Sequence, residues 1–172
     1  IAPLINAVGR IDNPSLIIDL LINSSEESVN NLTNKCFAIN KERKRITKIT
    51  EINALKIALD ENANNRKFLV LCNSKWHTGI IGIVAARIAE KYNLPTAILS
   101  RSKDGIFRGS VRSNNILKVN LALEECKDIL IAYGGHSAAA GLSIKAEKIP
   151  KLKELLNDVA IREFGNCDLN KS

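Results

Sequence analysis

A phosphate-binding group of side chains is predicted at residues 109–113, where the sequence reads Gly-Ser-Val-Arg-Ser. Successive side chains of a β-strand point to opposite faces, so Ser110 and Arg112 share one face with Arg108. A hydroxyl and two guanidinium groups in a row suit a phosphate, because the planar fork of arginine can donate two parallel hydrogen bonds. The alternative is an edge strand whose polar face is merely solvated, an arrangement that protects natural sheets from aggregation.

The second candidate is the run 134–141, which reads Gly-Gly-His-Ser-Ala-Ala-Ala-Gly. Its glycines and small residues allow the backbone to approach another molecule closely. Gly134 and Gly135 precede His136, the one reactive group of the run, whose imidazole can donate a hydrogen bond to a phosphate oxygen. The alternative is a tight helix-to-strand turn that the histidine caps.

The third candidate is the loop that contains Trp76 and His77, between a predicted strand and the helix that follows it. In open α/β sheets, ligands bind beyond the C-terminal ends of the strands. The next helix begins near Thr78 and Gly79, so its free N–H groups and positive dipole end face this loop. A base or sugar can stack on Trp76, and the alternative is a tryptophan that folds back as a lid on the sheet edge.

These candidates lie within an alternating pattern of strands and helices. Residues 67–72 are apolar, as in a strand buried on both faces, and residues 79–92 have the pattern of a well-buried helix. The other predicted elements are strands at 96–100, 106–113 and 142–144, and helices at 118–132 and 148–164. This order predicts an α/β domain with a mixed β-sheet flanked by helices.

A long helix is predicted ahead of this domain, from about residue 25 to residue 62, where the sequence has neither Pro nor Gly. Leu32, Ile39 and Ile46 are spaced by seven and form one narrow apolar stripe. A helix so long, with so narrow an apolar stripe, cannot be buried in a compact domain. We expect it to be a strut that connects two parts of a protein, or half of an interface whose other half is missing. The bases between Lys41 and Arg45 are expected to form a solvated face.

A shorter helix is predicted within residues 1–24. Asn13, Pro14 and Ser15 form a helix-start signal. The apolar residues after this signal fall on one helix face. Ser24 and Ser25, followed by two glutamates, mark the start of the long helix.

Composition excludes several classes of protein. The 172 residues carry 25 Lys and Arg against 18 Asp and Glu, and the net charge of +7 favours a polyanionic partner. No stretch has the roughly 18 apolar residues of a membrane-spanning helix, and no secretory signal is present. The four cysteines are scattered, which suits a cytoplasmic protein, and no residues have metal-ligand spacing. Because no apolar span is present, we expect no membrane partner. The lack of methionine indicates a piece of a longer chain.

Four stretches together resemble the RecJ family of single-strand-specific 5′→3′ DNA exonucleases, within the DHH phosphoesterase superfamily. They are residues 76–87, 109–113 and 134–141, which are similar to the second core domain of that family, the DHHA1 domain, and residues 5–10, which are similar to the end of its catalytic domain. The resemblance covers about residues 1–164. It implies a mixed sheet of about five strands, preceded by a long connecting α-helix.

The resemblance also implies a division of the chain and a set of partners. Residues 1–24 would end the catalytic part, 25–63 would form the connecting helix, 66–165 the DHHA1 domain and 166–172 a tail. The parent enzyme would use Mn²⁺ or Mg²⁺, which would bind to a missing N-terminal DHH catalytic domain and not to this fragment. Single-stranded DNA would be the substrate, in recombination and repair, and the fragment alone would be inactive.

The family's functional residues map onto this sequence by position. Ser110 and Arg112 would hold a DNA phosphate near the 5′ end, and His136 would support catalysis by contacting phosphate at the cleft. The full set of implied DNA-binding residues is Arg10, Trp76, His77, Arg108, Ser110, Arg112, Ser113, Gly134, Gly135 and His136. Val111 replaces the glycine expected within the Gly-Ser-x-Arg-Ser stretch. Two alternatives remain open: an oligonucleotide or nucleotide phosphatase of the same superfamily, and a non-catalytic RNA-binding DHHA1 module.

Overall fold

The computed structural model describes residues 2–23, 25–61, 65–113 and 117–169. Contacts divide the chain into two compact units, Ile1–Ile49 and Thr50–Ser172. The predicted ends of the long helix and of the tail, at residues 62–63 and 170–172, lie outside the described residues. The division into four segments that the family resemblance implies stays a prediction.

The first unit contains two short helices and most of a long one. Helix α1 spans Ala2–Ile11 and α2 spans Ser15–Ile22, with a small core formed by Val8, Ile17 and Cys36. The predicted start of α2 is confirmed, because the side chain of Asn13 accepts a hydrogen bond from the backbone N–H of Ser15 at 3.0 Å. The helix α1 was not expected from the sequence.

Helix α3 spans Glu26–Asp60 and confirms the predicted long helix. Its first turn carries two glutamates, which stabilise the positive end of the helix dipole. Cys36 is fully buried on its apolar stripe. The basic stretch is solvated as predicted, since Lys41, Lys44 and Arg45 are exposed and Arg45 pairs with Glu42 at 2.8 Å.

The second unit is built on a five-stranded mixed sheet, as predicted. The strands are β1 (Leu69–Cys72), β2 (Thr96–Arg101), β3 (Phe107–Arg112), β4 (Ala132–Gly135) and β5 (Ala139–Ile144). Their order in the sheet is β1-β2-β3-β5-β4, in which β1 and β2 are parallel and the other pairs are antiparallel. Strand β3 therefore lies in the interior of the sheet, and the alternative of an edge strand at this position is wrong.

Helices cover both faces of this sheet. Helix α4 (Ile81–Tyr92) packs against β2 and β3 on one face, and ends at Asn93, which has a left-handed φ of 52°. Helices α5 (Val119–Glu124) and α6 (Ile149–Leu169) share a core with the opposite face. Short 3₁₀ turns lie at Lys127–Ile129 and Ala146–Lys148.

The sequence-based prediction fails between residues 124 and 135. A helix was predicted over 118–132, but α5 ends at Glu124 and residues 132–135 form β4. These residues pair with β5, so hydrogen bonds across the sheet replace those of a helix. The glycine-rich run is consequently part of a β-hairpin, and the alternative of a helix-to-strand turn is wrong.

Candidate nucleic-acid interface

Strand β3 presents a row of polar side chains on the face that carries α4. Phe107, Gly109 and Val111 are buried, whereas the residues between them are exposed or partly exposed. This alternation confirms that Arg108, Ser110 and Arg112 share one face. The branched side chain of Val111, which replaces the expected glycine, is fully buried on the opposite face, in the core with α5 and α6.

Arg112 and Ser110 form a hydrogen-bonded pair. Nη1 of Arg112 donates to Oγ of Ser110 at 3.0 Å and to the main-chain oxygen of Val111 at 2.7 Å. The two bonds hold the guanidinium plane beside the hydroxyl. Both groups are partly exposed, so a positive charge and a hydroxyl lie together where a phosphate can reach them.

Arg108 lies on the same face but is engaged at the end of the hairpin between β2 and β3. Its Nη2 donates to Asp104 at 2.9 Å, and its Nη1 lies 3.4 Å from Oγ of Ser143. The pKa of Asp104 is held below its usual range, first by the N–H of Ile106 and then by Arg108. The positive charge of Arg108 is therefore partly balanced by the carboxylate of Asp104.

The strand register places bare backbone next to Ser110. Ser110 pairs with Gly141 on β5, and Gly141 pairs with Gly134 on β4. Paired residues of antiparallel strands share a face, so on β5 and β4 this row carries no side chain. A Cβ atom at Gly134 would meet no heavy atom within 4 Å, and one at Gly141 would meet only the oxygen of Gly109, at 3.7 Å. We call Gly141 and Gly134, which lie next to Ser110, the glycine strip.

The turn between β4 and β5 brings His136 to the same end of the sheet. His136 exchanges two main-chain hydrogen bonds with Ala139, of 2.8 and 3.3 Å, and Ala139 pairs with Arg112 across β3. The two candidate motifs, distant in sequence, therefore meet. The His136 side chain is exposed, and Gly135 beside it has a φ of +144°.

Ser113 holds the turn through its backbone. Its N–H donates to the oxygen of Ala138 at 3.0 Å, and the N–H of Val119 donates to the oxygen of Ser137 at 2.9 Å. The Ser113 hydroxyl is buried and has no hydrogen-bond partner within the described part of the chain. Its predicted contact with DNA stays a prediction.

Trp76 has a structural position. Its side chain is 7% exposed, and its indole N–H donates to Oδ1 of Asn53 at 3.0 Å. Asn53 also accepts a bond from the Asn73 side chain at 3.1 Å, and the main-chain oxygen of Trp76 accepts one from the hydroxyl of Ser100. This burial agrees with the alternative, a tryptophan folded back onto the sheet, and the contact of Trp76 with DNA stays a prediction.

Fluorescence tests the position of Trp76, which is the only tryptophan in the chain. We expect its emission to be several-fold less accessible to iodide than that of free tryptophan amide, because the ring is buried. We also expect saturating single-stranded DNA to change the emission only slightly. Strong quenching on DNA binding, as a stacked base produces, would show that the ring leaves its site to contact the nucleic acid.

Two further predicted residues, His77 and Arg10, lie outside the strands of the sheet. His77 is exposed, and its Nδ1 accepts a hydrogen bond from the N–H of Gly79 at 3.1 Å, so the ring fixes the start of the loop-to-helix turn. Arg10 is exposed in the last turn of α1, within the first unit. The roles of His77 and Arg10 in DNA binding stay predictions.

Within the described ranges, no three side chains of His, Cys, Asp or Glu come together as ligands for a metal ion. These residues therefore do not fit a Mn²⁺ or Mg²⁺ site, and we place no metal among them. Over the same ranges, no helix is long and apolar enough to cross a bilayer.

Sequence reasoning missed two glycines that shape the site. Gly141 is the last residue of the candidate run 134–141. It belongs to the interface because the register of β5 pairs it with Ser110. Gly82, in α4, lies against Ser110 and Arg112, as described below. Both glycines belong to stretches on which the family resemblance rests. The motifs therefore pointed to these regions, but not to the individual glycines.

Known proteins are similar to this chain over nearly its whole length. The single-stranded-DNA-specific exonuclease RecJ of Bacillus subtilis is 33% identical over 162 residues, covering 93% of this chain and 20% of that protein. A crystal structure of exonuclease RecJ bound to manganese matches with a TM-score of 0.83 and 28% identity, over 94% of this chain and 40% of that one. RecJ of Thermus thermophilus in complex with Mn²⁺ matches with a TM-score of 0.83 and 29% identity, over 94% of this chain and 24% of that one.

The predicted resemblance to RecJ and the predicted fold are thus confirmed. The chain spans only a fifth to two fifths of the length of these proteins. The family model for the DHHA1 domain matches residues 65–162, which include all five strands and helices α4 and α5. That match covers more than half of the sequence, and the chain therefore belongs to the DHHA1 domain family.

Proposed function

We propose that this chain is the DHHA1 nucleic-acid-binding domain of a RecJ-like 5′→3′ single-stranded-DNA exonuclease. The observation that carries the proposal is the hydrogen-bonded pair of Arg112 and Ser110 beside the glycine strip. The pair would hold a phosphate near the 5′ end of the strand, and the strip would let the sugar–phosphate backbone lie against the sheet.

The chemistry of these groups supports the proposal. The guanidinium of Arg112 is always charged and can form two bonds with a phosphate, while the Ser110 hydroxyl can donate one more. The exposed backbone at Gly134 and Gly141 leaves room for a ligand that a row of side chains would exclude. The net charge of +7 attracts a polyanion from a distance.

In this proposal, the chain positions DNA and does not cleave it alone. Cleavage of the phosphodiester would take place in a metal-dependent DHH catalytic domain outside these 172 residues, and RecJ structures with Mn²⁺ or Mg²⁺ supply the analogy. Arg112 and Ser110 would fix the strand and offset its charge, with His136 as a supporting phosphate contact. A cytoplasmic role in DNA repair and recombination belongs to the same proposal.

A binding titration tests the proposal on the chain as it stands. A fluorescent single strand of about 15 nucleotides is titrated across a salt series, with log K expected to fall by roughly 0.7 per phosphate contact for each decade of salt. No binding at low salt would contradict the proposal. Tighter binding of dinucleotides would favour a nucleotide phosphatase of the same superfamily, and tighter binding of a hairpin RNA would favour an RNA-binding module.

Gly134→Ala tests the role of the glycine strip. The added methyl group would meet no atom within 4 Å, so we expect the free energy of unfolding to stay within about 0.5 kcal/mol of the wild type. It would nevertheless stand where the DNA backbone lies, and we expect affinity for the single strand to fall by about three- to tenfold. If the variant folds and binds the single strand as tightly as the wild type, Gly134 is not part of the interface.

A further inference from the structure

Gly82 is the second residue of α4, on the side of the helix that faces β3. A Cβ atom at this position would lie 3.0 Å from Oγ of Ser110 and 3.1 Å from Nη2 of Arg112. These separations are shorter than ordinary contacts between carbon and a polar atom. The space that Gly82 leaves is therefore occupied by the two side chains that we propose as the phosphate-binding pair.

Other glycines of this unit differ from Gly82 in what surrounds them. A Cβ atom at Gly109 would approach side-chain carbons of Leu142 to 2.8 Å, within the hydrophobic core. A Cβ atom at Gly134 would meet nothing. At Gly82 the three nearest atoms all belong to Ser110 and Arg112. A side chain at this position would therefore collide with the proposed site and not with the core.

We infer that Gly82 is a positioning residue for DNA binding, through the room it leaves for Ser110 and Arg112. This inference rests on the proposed function. Without a side chain at Gly82, the guanidinium can lie between α4 and β3 while Nη1 bonds to Ser110 and Val111. A methyl group would push the flexible ends of both side chains aside and change the direction in which they offer their donors.

Gly82→Ala separates this role from a role in folding. Alanine favours a helix more than glycine does, and the two closest atoms, Oγ of Ser110 and Nη2 of Arg112, can move by rotation of their side chains, so we expect the melting temperature to stay close to that of the wild type. Affinity for the single strand is expected to fall by about three- to tenfold, as for a weakened hydrogen bond. The matched control for the effect of this substitution on helix stability is Gly9→Ala in α1, where a Cβ atom would have no neighbour within 4 Å and the melting temperature should not fall.

A double-variant cycle shows whether Gly82 acts through Arg112. We expect Gly82→Ala to cause a smaller loss of DNA affinity in an Arg112→Ala background than in the wild type, because one of the two groups it displaces is already absent. Undiminished loss in that background, unchanged affinity in the single variant, or a large drop in melting temperature would overturn the inference. If Arg112→Ala itself leaves affinity unchanged, it is the proposed function that fails.

Discussion

Arg112→Ala is expected to weaken binding of single-stranded DNA by about 10- to 100-fold, the equivalent of a hydrogen bond to a charged group. The guanidinium supplies both charge and directed donors to the proposed phosphate site, and Ser110 loses its donor partner at 3.0 Å when Arg112 is removed. The measurement is fluorescence anisotropy of the labelled strand across a salt series that begins at low salt. The slope of log K against log salt should fall by roughly 0.7 as one phosphate contact disappears.

Arg101→Ala is the matched control for this charge change. Arg101 is exposed and pairs with Phe107 across β2 and β3, so it belongs to the face opposite Arg108, Ser110 and Arg112. Its removal changes the net charge equally, and we expect only a small loss of affinity. Equal losses in the two variants would mean that DNA responds to overall charge and not to the site.

Gly135→Ala is expected to destabilise the second unit by about 2–4 kcal/mol. Gly135 has a φ of +144°, a conformation that residues with a side chain rarely adopt. A Cβ atom there would lie 2.5 Å from the main-chain oxygen of Ala139 and 2.5 Å from Cα of Ala140. Because these are backbone atoms of the neighbouring strand, the hairpin itself would have to shift. Urea unfolding followed by circular dichroism measures the loss.

Gly134→Ala, in the same hairpin, is the control for Gly135→Ala. The two glycines are adjacent, yet only Gly135 has a backbone conformation and a crowded site that demand glycine. We therefore expect a stability loss at Gly135 and an affinity loss at Gly134. Similar stability losses in both variants would contradict the geometry described for the turn.

The sequence allowed correct prediction of those elements whose signals are local. The alternation of β3 needed only the two-residue period of a strand, which brought Arg108, Ser110 and Arg112 to one face. Helix α3 needed only a long run without proline or glycine, and an acidic first turn. Both features depend only on residues that are close in sequence, so they can be predicted without knowledge of tertiary contacts.

The missed features depend on distant parts of the chain. Strand β4 follows an apolar run that reads as the end of a helix, and only its pairing with β5 makes it extended. Burial of Trp76 was one of two alternatives, but its bond to Asn53, 23 residues away, could not be seen from the loop sequence. Gly82 is needed because α4 packs on β3, a contact that neither segment reveals by itself.

Chemical-shift mapping by nuclear magnetic resonance tests most directly whether the glycine strip and the Arg112–Ser110 pair hold DNA. The ¹⁵N-labelled chain is titrated with a 5′-phosphorylated single strand, and the backbone amides are followed. We expect the largest shifts at Ser110, Gly134 and Gly141, and small ones at Arg101 on the opposite face. Shifts confined to the basic stretch between Lys41 and Arg45, with the glycine strip unchanged, would contradict the account.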